Sequence, residues 1–165
     1  MVNLRKEVLL SNQKHFLRIT KKEFRHMSKV AIVYWSGTGN TEAMADLFEE
    51  GITNAGGEAS LIQCSNFSSS DVSDYDAFAF GCPAMGDEEL EDTEFEPMYD
   101  EVEPVLDGKK VVLFGSYDWN NGEWMEYWEQ RAEEAGVNVV GTVIAKDYPD
   151  DEAAEQCKQA AASLV

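Results

Sequence analysis

Short apolar runs alternate with amphipathic segments along most of this chain, and the alternation restricts its fold more than any other feature. The pattern predicts strands over 30–34, 59–63, 75–81, 110–115 and 137–144. It predicts helices over 40–55, 93–106, 123–135 and 151–164. The strands are too uniformly apolar to expose one face, which indicates a parallel sheet covered on both sides. We therefore expect an α/β fold, a three-layer sandwich of five strand–helix units in which helices cover both faces of a five-stranded parallel sheet.

Local signals refine the predicted helix ends. Thr93 and Glu96 have the spacing of a capping box, so we expect the second helix to begin there. Pro97 and Pro104 should make this helix short or irregular, because proline cannot donate a backbone hydrogen bond. Asp150 or Asp151 is expected to cap the last helix.

Charge divides the chain into two parts. The 13 basic and 32 acidic residues give a net charge of −19. Residues 1–27 hold seven basic and two acidic residues, whereas residues 28–165 hold six and 30, a net charge of −24. We interpret residues 1–27 as a basic N-terminal extension and residues 28–165 as the folded domain. The extension is either an amphipathic or disordered tail or upstream sequence before a native start at Met27, and the break in composition favours the second.

Composition also excludes several classes of function. No apolar run approaches the ~18 residues of a membrane span, and an acidic body repels nucleic acid and anionic lipid. The three cysteines are Cys64, Cys82 and Cys157. Because their number is odd and they form no C-x-x-C pair, they indicate a reducing, cytoplasmic location. Both histidines, His15 and His26, lie in the extension, so we expect neither a catalytic triad nor a metal site in the acidic body.

The segment VYWSGTGNTE, residues 33–42, predicts a phosphate-binding turn between a strand and a helix. Its glycines allow the backbone to approach a phosphate closely, and its hydroxyl and amide side chains can donate hydrogen bonds. The six residues are Ser36, Gly37, Thr38, Gly39, Asn40 and Thr41. Glu42 replaces the third glycine of the dinucleotide fingerprint, and no Gly-Lys pair of a P-loop occurs. The segment therefore predicts a mononucleotide phosphate held by neutral donors without a cation.

Two more segments follow the third and fourth predicted strands, PAMGDEELEDTEFEPM at 83–98 and LFGSYDWNNGEWM at 113–125. With the first segment they resemble flavodoxins, the short-chain type of anaerobic bacteria, over residues 28–165. The resemblance implies the strand order 2-1-3-4-5, with FMN bound non-covalently where that order reverses. It also implies an electron carrier between redox proteins rather than an enzyme.

The resemblance assigns roles by position. The six residues 36–41 would bind the phosphate. The loop at the inner side and edge of the flavin ring would comprise Pro83, Ala84, Met85, Gly86 and Asp87. Trp119 would stack on the outer face, in the same loop as Ser116, Tyr117 and Asp118. Two residues depart from the family pattern: Pro83 replaces a small hydroxyl residue and so removes a polar contact, and Asp118 replaces a glycine and adds negative charge.

Ten acidic residues within 87–103 begin at the predicted flavin loop. They form either a solvated helix face or a docking surface, and the two are compatible. We expect basic or positively patched redox partners, a monomer, and a low potential, because an anionic reduced flavin is destabilised in an acidic body.

Two rival hypotheses share this fold. A small flavin-dependent reductase is the alternative function, although the chain lacks a second nucleotide domain and a long insertion to enclose a substrate. A phospho-receiver domain is disfavoured, because it needs an aspartate where the third strand ends at Gly81 and Cys82.

Overall fold

A computed structural model describes residues 27–165, which form one sheet with helices on both faces. The strands are β1 (Lys29–Tyr34), β2 (Glu58–Gln63), β3 (Ala77–Gly81), β4 (Lys110–Tyr117) and β5 (Asn138–Lys146). The helices are α1 (Asn40–Asn54), α2 (Phe95–Val102), α3 (Glu123–Glu134) and α4 (Asp151–Ala162). Apart from Met27, the predicted basic extension lies outside the described residues.

The sheet is parallel throughout, and its order is β2-β1-β3-β4-β5. This confirms the predicted class and strand order. The chain leaves β1 in one direction to build β2 and returns on the other side of β1 to build β3. The carboxyl ends of β1 and β3 are therefore a point of reversal, where open α/β sheets leave a crevice for ligands.

Side chains alternate between two cores, one on each face of the sheet. Strand residues such as Val33, Phe80 and Leu113 pack with aromatic residues of α2 and α3. Their neighbours, such as Ile32 and Phe114, pack with α1 and α4. Since both faces are buried, β1, β3 and the middle of β4 are almost entirely apolar, as the sequence pattern predicted.

The predicted number of strand–helix units was one too many, because the pattern had indicated no helix between the second and third strands. Two short 3₁₀ turns, Cys64–Asn66 and Ser69–Asp74, connect β2 to β3 in place of an α-helix. The serine-rich sequence between these strands supplies few apolar residues for an amphipathic helix. Reciprocal hydrogen bonds between Ser68 and Asp71 hold the second turn instead. The fold therefore has four strand–helix units and not five.

Two strand ends also differ from prediction. β3 begins at Ala77 rather than Tyr75, because Asp76 is engaged with Lys29 at the start of β1 through backbone and carboxylate. β4 continues two residues past Gly115, because β5 pairs with it as far as Tyr117. Ser116 and Tyr117 therefore belong to the rigid end of a strand and not to a loop.

The predicted capping box at Thr93 is wrong as well. The carboxylate of Glu91 accepts hydrogen bonds from the backbone N–H groups of Thr93, Glu94 and Phe95 at 2.8–2.9 Å. Burial of Glu91 opposes its ionisation, but the Thr93 hydroxyl and these three N–H groups outweigh it and hold its pKa below the usual value. The helix that follows is short, as predicted, and it ends in a 3₁₀ turn that contains Pro104.

Replacing this cap should cost stability in a pH-dependent way. We expect Glu91→Gln to lower the free energy of unfolding at pH 7 by about 1–2 kcal/mol, because an amide offers one acceptor oxygen and no charge. A carboxylate whose pKa is lower in the folded than in the unfolded state stabilises the folded protein at pH values above the unfolded-state pKa. This stabilisation disappears as the pH falls through the folded-state pKa. Urea unfolding of both proteins should therefore show a gap that narrows below about pH 4. A gap of constant size from pH 7 to pH 3 would contradict the ionised cap.

Candidate functional site

A cavity of about 420 Å³ opens at the carboxyl ends of β1, β3, β4 and β5. Its walls combine three chain segments with one residue from a fourth: Trp35, Ser36, Gly37, Thr38, Asn40, Thr41, Pro83, Ala84, Met85, Ser116, Tyr117, Asp118 and Asp147. Most of the residues predicted from the three sequence segments are thus brought together. Its volume lies within the range of about 300–1,000 Å³ typical of small-molecule sites.

The N-terminus of α1 forms one end of the cavity. Gly39 precedes the helix with a φ of 95°, a left-handed conformation that favours glycine, and the chain enters the helix at Asn40. Ser36 Oγ accepts hydrogen bonds from the N–H groups of Gly39 at 3.1 Å and Glu42 at 3.3 Å. Because both lone pairs of this oxygen have partners, its proton is left to donate to an anion at the helix N-terminus.

Two buried hydroxyls lie in the floor of the cavity. Thr41 Oγ1 lies 3.0 Å from Ser116 Oγ, and the N–H of Ser116 points at the same threonine oxygen at 3.4 Å. Thr41 is 1% exposed and Ser116 5% exposed. The first turn of α1 is thereby joined to the end of β4.

Sequence reasoning missed two lining residues, Trp35 and Asp147. The ring of Trp35 packs so closely under the turn between β1 and α1 that a Cβ on Gly37 would lie 2.9 Å from it. Its indole N–H donates to Glu94 at 2.9 Å. Asp147 follows β5 with a φ of 57°, and its N–H donates to the carbonyl of Tyr117 at 2.7 Å. The sequence signal that could have identified Trp35 and Asp147 is their position at the carboxyl ends of β1 and β5.

The loop after β3 is a tight hairpin. Met85 and Glu89 exchange two backbone hydrogen bonds of 2.9 Å, and the turn between them places Gly86 at φ 48° and Glu88 at φ 63°. The carboxylate of Glu88 accepts from the N–H of Trp124 at 2.6 Å, which fastens the hairpin to the start of α3. Met85 lines the cavity, whereas Gly86 and Asp87 lie beside it in the turn.

Tryptophans near the cavity divide into two kinds. Trp119 is 70% exposed and lies beside the cavity without lining it, so its predicted stacking role stays a prediction. Trp124 is buried and donates its indole N–H to the carbonyl of Cys82 at 3.2 Å, which makes it a core residue. Trp128 and Phe95 are also core residues.

The cavity is electrically unusual for a phosphate site. Among the described residues that line it, none is lysine or arginine, while Asp118 and Asp147 add two carboxylates. No cysteine lines it within residues 27–165. Burial, reinforced by Glu94 and Glu91, raises the pKa of the nearby Cys64 thiol to about 11, so it stays protonated and weakly nucleophilic at neutral pH. These features favour a non-covalently bound ligand whose phosphate is held by neutral donors.

The lining of the cavity combines two kinds of chemical groups. Hydroxyls and the N-terminus of α1 suit a phosphate. Met85 and Tyr117 also line the cavity, and thioether and aromatic groups suit a flat ring system. A phosphorylated ring compound such as FMN therefore fits the residues present.

Comparison with known proteins decides the family, because a model of the flavodoxin family matches residues 32–160. This chain belongs to the flavodoxin family. A flavodoxin of Megasphaera elsdenii is 49% identical to it over 130 residues, covering 79% of this chain and 93% of that protein. A Clostridium beijerinckii flavodoxin is 45% identical over 76% of this chain and 91% of its own length. The solution structure of two-electron reduced Megasphaera elsdenii flavodoxin has a TM-score of 0.76 and 47% identity, covering 81% and 98% of the two chains.

Membership confirms the resemblance, the cofactor and the broad activity. Flavodoxins bind FMN and are electron-transfer proteins rather than enzymes, and they interact with redox partner proteins. The assignment of individual residues to phosphate or ring stays a prediction for this flavodoxin. Within the described part of the chain, none of the helices is both long and apolar enough to cross a bilayer.

Proposed function

We propose that this flavodoxin binds one FMN in the described cavity and shuttles electrons at low potential between positively charged redox proteins. The observation that carries the proposal is the combination of a cation-free cavity with an exposed apolar and acidic rim. The rim comprises Met85, Asp87, Asp118 and Trp119, and all four side chains are exposed.

The low potential follows from charge. Adding an electron to a bound flavin that already carries a phosphate is opposed by the two lining carboxylates and by the acidic body. Two like charges 4 Å apart repel by about 1 kcal/mol in water and about 4 kcal/mol at the effective dielectric constant near a protein surface. With no lysine or arginine among the described residues that line the cavity to offset this repulsion, the fully reduced state is the costly one.

The acidic run 87–103 serves two purposes rather than one. Several carboxylates are engaged inside the protein: Glu88 and Glu91 hold backbone N–H groups, and Glu94 accepts from Trp35. Asp87 and Glu89 are exposed at the tip of the hairpin beside the cavity. A basic partner would be steered to this tip and so to the flavin, and the rest of the run would contribute mainly through the long-range field.

Electron acceptors of opposite charge should show whether the tip of the hairpin is a docking surface. When the FMN-bound protein is fully reduced, electron transfer to a small basic haem protein should be at least about tenfold slower at 300 mM than at 10 mM NaCl. The reason is that the Debye length shrinks from ~30 Å towards ~6 Å and the attraction between the two proteins is screened. Transfer to ferricyanide, an anion, should speed up over the same series. Stopped-flow absorbance at the flavin band measures both.

Asp87→Asn and Glu89→Gln together should reduce the salt dependence for the basic acceptor, while Glu152→Gln and Glu155→Gln together on α4 provide an exposed surface control of equal charge change. If both acceptors respond to salt alike, or the two sets of variants behave the same, docking at the hairpin tip is wrong. Protein that takes up no FMN from solution, or does not release it after acid precipitation, would contradict the non-covalent site itself.

Two further proposals accompany the electron carrier. A net charge of −24 on residues 28–165 opposes self-association, which supports a monomer. The three cysteines are free and buried, which suits a reducing, cytoplasmic setting.

A further inference from the structure

We propose that Ser116 is a positioning residue for the phosphate of the flavin, acting through the hydroxyl of Thr41 and not through the ring. The inference rests on the proposed FMN site. The sequence resemblance had grouped Ser116 with the ring loop after the fourth strand, whereas the structure places it in the strand itself, against the first turn of α1.

Two groups of Ser116, its hydroxyl and its backbone N–H, form hydrogen bonds with the hydroxyl of Thr41. The Oγ1 of Thr41 lies 3.0 Å from Ser116 Oγ and accepts from the N–H of Ser116 at 3.4 Å. A hydroxyl has two acceptor lone pairs and one proton. When the Ser116 hydroxyl also donates, both lone pairs of Thr41 are occupied, and its proton has to point elsewhere.

The cavity borders Thr41 and so offers this proton a direction. Thr41 belongs to the first turn of α1 and lines the cavity beside Asn40 and Thr38. A proton that points there is aimed at the region where the helix N-terminus favours an anion. The same hydrogen-bond accounting applies to Ser36, whose oxygen accepts two N–H groups, so two hydroxyls of the site are arranged as donors.

Ser116 is rigid enough to set this orientation. Its carbonyl accepts from the N–H of Ala84 at 3.0 Å, and its neighbour in the sheet is Ala145 of β5. Backbone bonds on both sides therefore fix its position relative to the ring-side loop. A hydroxyl held in place before binding costs less entropy when the phosphate arrives.

Comparison of FMN with riboflavin, which lacks the phosphate, separates this role from a ring contact. We expect Ser116→Ala to raise the Kd for FMN about tenfold, the value of one hydrogen bond to a charged group, and to change the Kd for riboflavin less than about twofold. Thr41→Val should weaken FMN binding at least as much. In the double variant the FMN Kd should match that of Thr41→Val within about twofold, because both changes remove the same donor.

Quenching of flavin fluorescence measures each Kd, and thermal melting of the flavin-free proteins verifies folding. Ser73→Ala, an exposed serine far from the cavity in sequence, is the matched control. Equal weakening of FMN and riboflavin, no effect on either, or additive losses in the double variant would overturn the role of Ser116 alone. A parent protein that binds neither flavin would overturn the proposed function and this inference with it.

Discussion

Gly115→Ala should lower the free energy of unfolding by at least about 3 kcal/mol, the upper end of the cost of overpacking a core, and should abolish tight FMN binding. A Cβ at Gly115 would lie 2.1 Å from the carbonyl oxygen of Cys82 and 2.9 Å from its carbonyl carbon. The obstacle is backbone, which cannot rotate away as a side chain can. The ends of β3 and β4 would have to separate.

Separation of these strand ends would disturb the site directly. The carbonyl of Cys82 also accepts the indole N–H of Trp124 at 3.2 Å, so the start of α3 would move with it. The residues that follow Gly115 and Cys82 line the cavity on both sides: Ser116, Tyr117, Pro83 and Ala84. Loss of stability and loss of flavin affinity should therefore occur together.

Gly141→Ala provides the matched control in the neighbouring strand. A Cβ at Gly141 in β5 would meet no heavy atom of residues 27–165 within 4 Å. The free energy of unfolding should then change by no more than about 1 kcal/mol, and the sign can be favourable because alanine restricts the unfolded chain. Urea unfolding and FMN titration of both variants test the pair. Similar midpoints for the two alanines would contradict the close approach at Gly115.

Features encoded by neighbouring residues could be predicted from the sequence. The turn between β1 and α1 is one continuous segment, so residue types at 36–41 sufficed to predict a strand-to-helix turn there. The same holds for the cap at Asp150, whose carboxylate accepts from the N–H of Ala153 at 2.8 Å. Buried strands were also recognisable, because a strand covered on both faces is apolar at every position.

Features that depend on distant residues could not be predicted in this way. The contribution of Asp147 to the cavity requires β5 to lie beside β4, and the strand order does not follow from spacing along the chain. The extension of β4 past Gly115 likewise depends on the length of its partner. Glu91 was overlooked because its carboxylate caps N–H groups two to four residues ahead from an irregular segment, where no periodic pattern indicates it.

The acidic run shows the same limit for electrostatics. Composition could not show which carboxylates of the run face solvent and which form ion pairs, because the arginine that pairs with them is far away in sequence. Arg131 of α3 contacts Glu96, Asp100 and Glu103, with its Nε 3.5 Å from the Glu103 carboxylate. Its guanidinium also lies over the ring of Tyr99, 5.1 Å from the centroid. One arginine thus joins α2 and α3.

Arg131→Met should therefore lower the free energy of unfolding by about 2 kcal/mol. Breaking a buried pair costs about 3–5 kcal/mol, and this value is reduced here because the arginine is about one third exposed. The cost should fall mainly on Glu103, whose side chain is 12% exposed beside the buried Tyr99. Burial and then Glu103 already raise the pKa of Tyr99, which shows how little solvent screens this region.

Lys158→Met makes the same charge change at a residue of similar exposure, 35% against 32%. Among the described residues Lys158 pairs with Glu50 alone, at 3.1 Å, so its loss should cost no more than about 0.5 kcal/mol. Urea unfolding of both variants compares them, and equal losses would mean that the three carboxylates around Arg131 add nothing. Adding Glu103→Gln to Arg131→Met should recover part of the stability, because the unpaired charge is then gone. Such recovery would locate the cost in one carboxylate that is only 12% exposed.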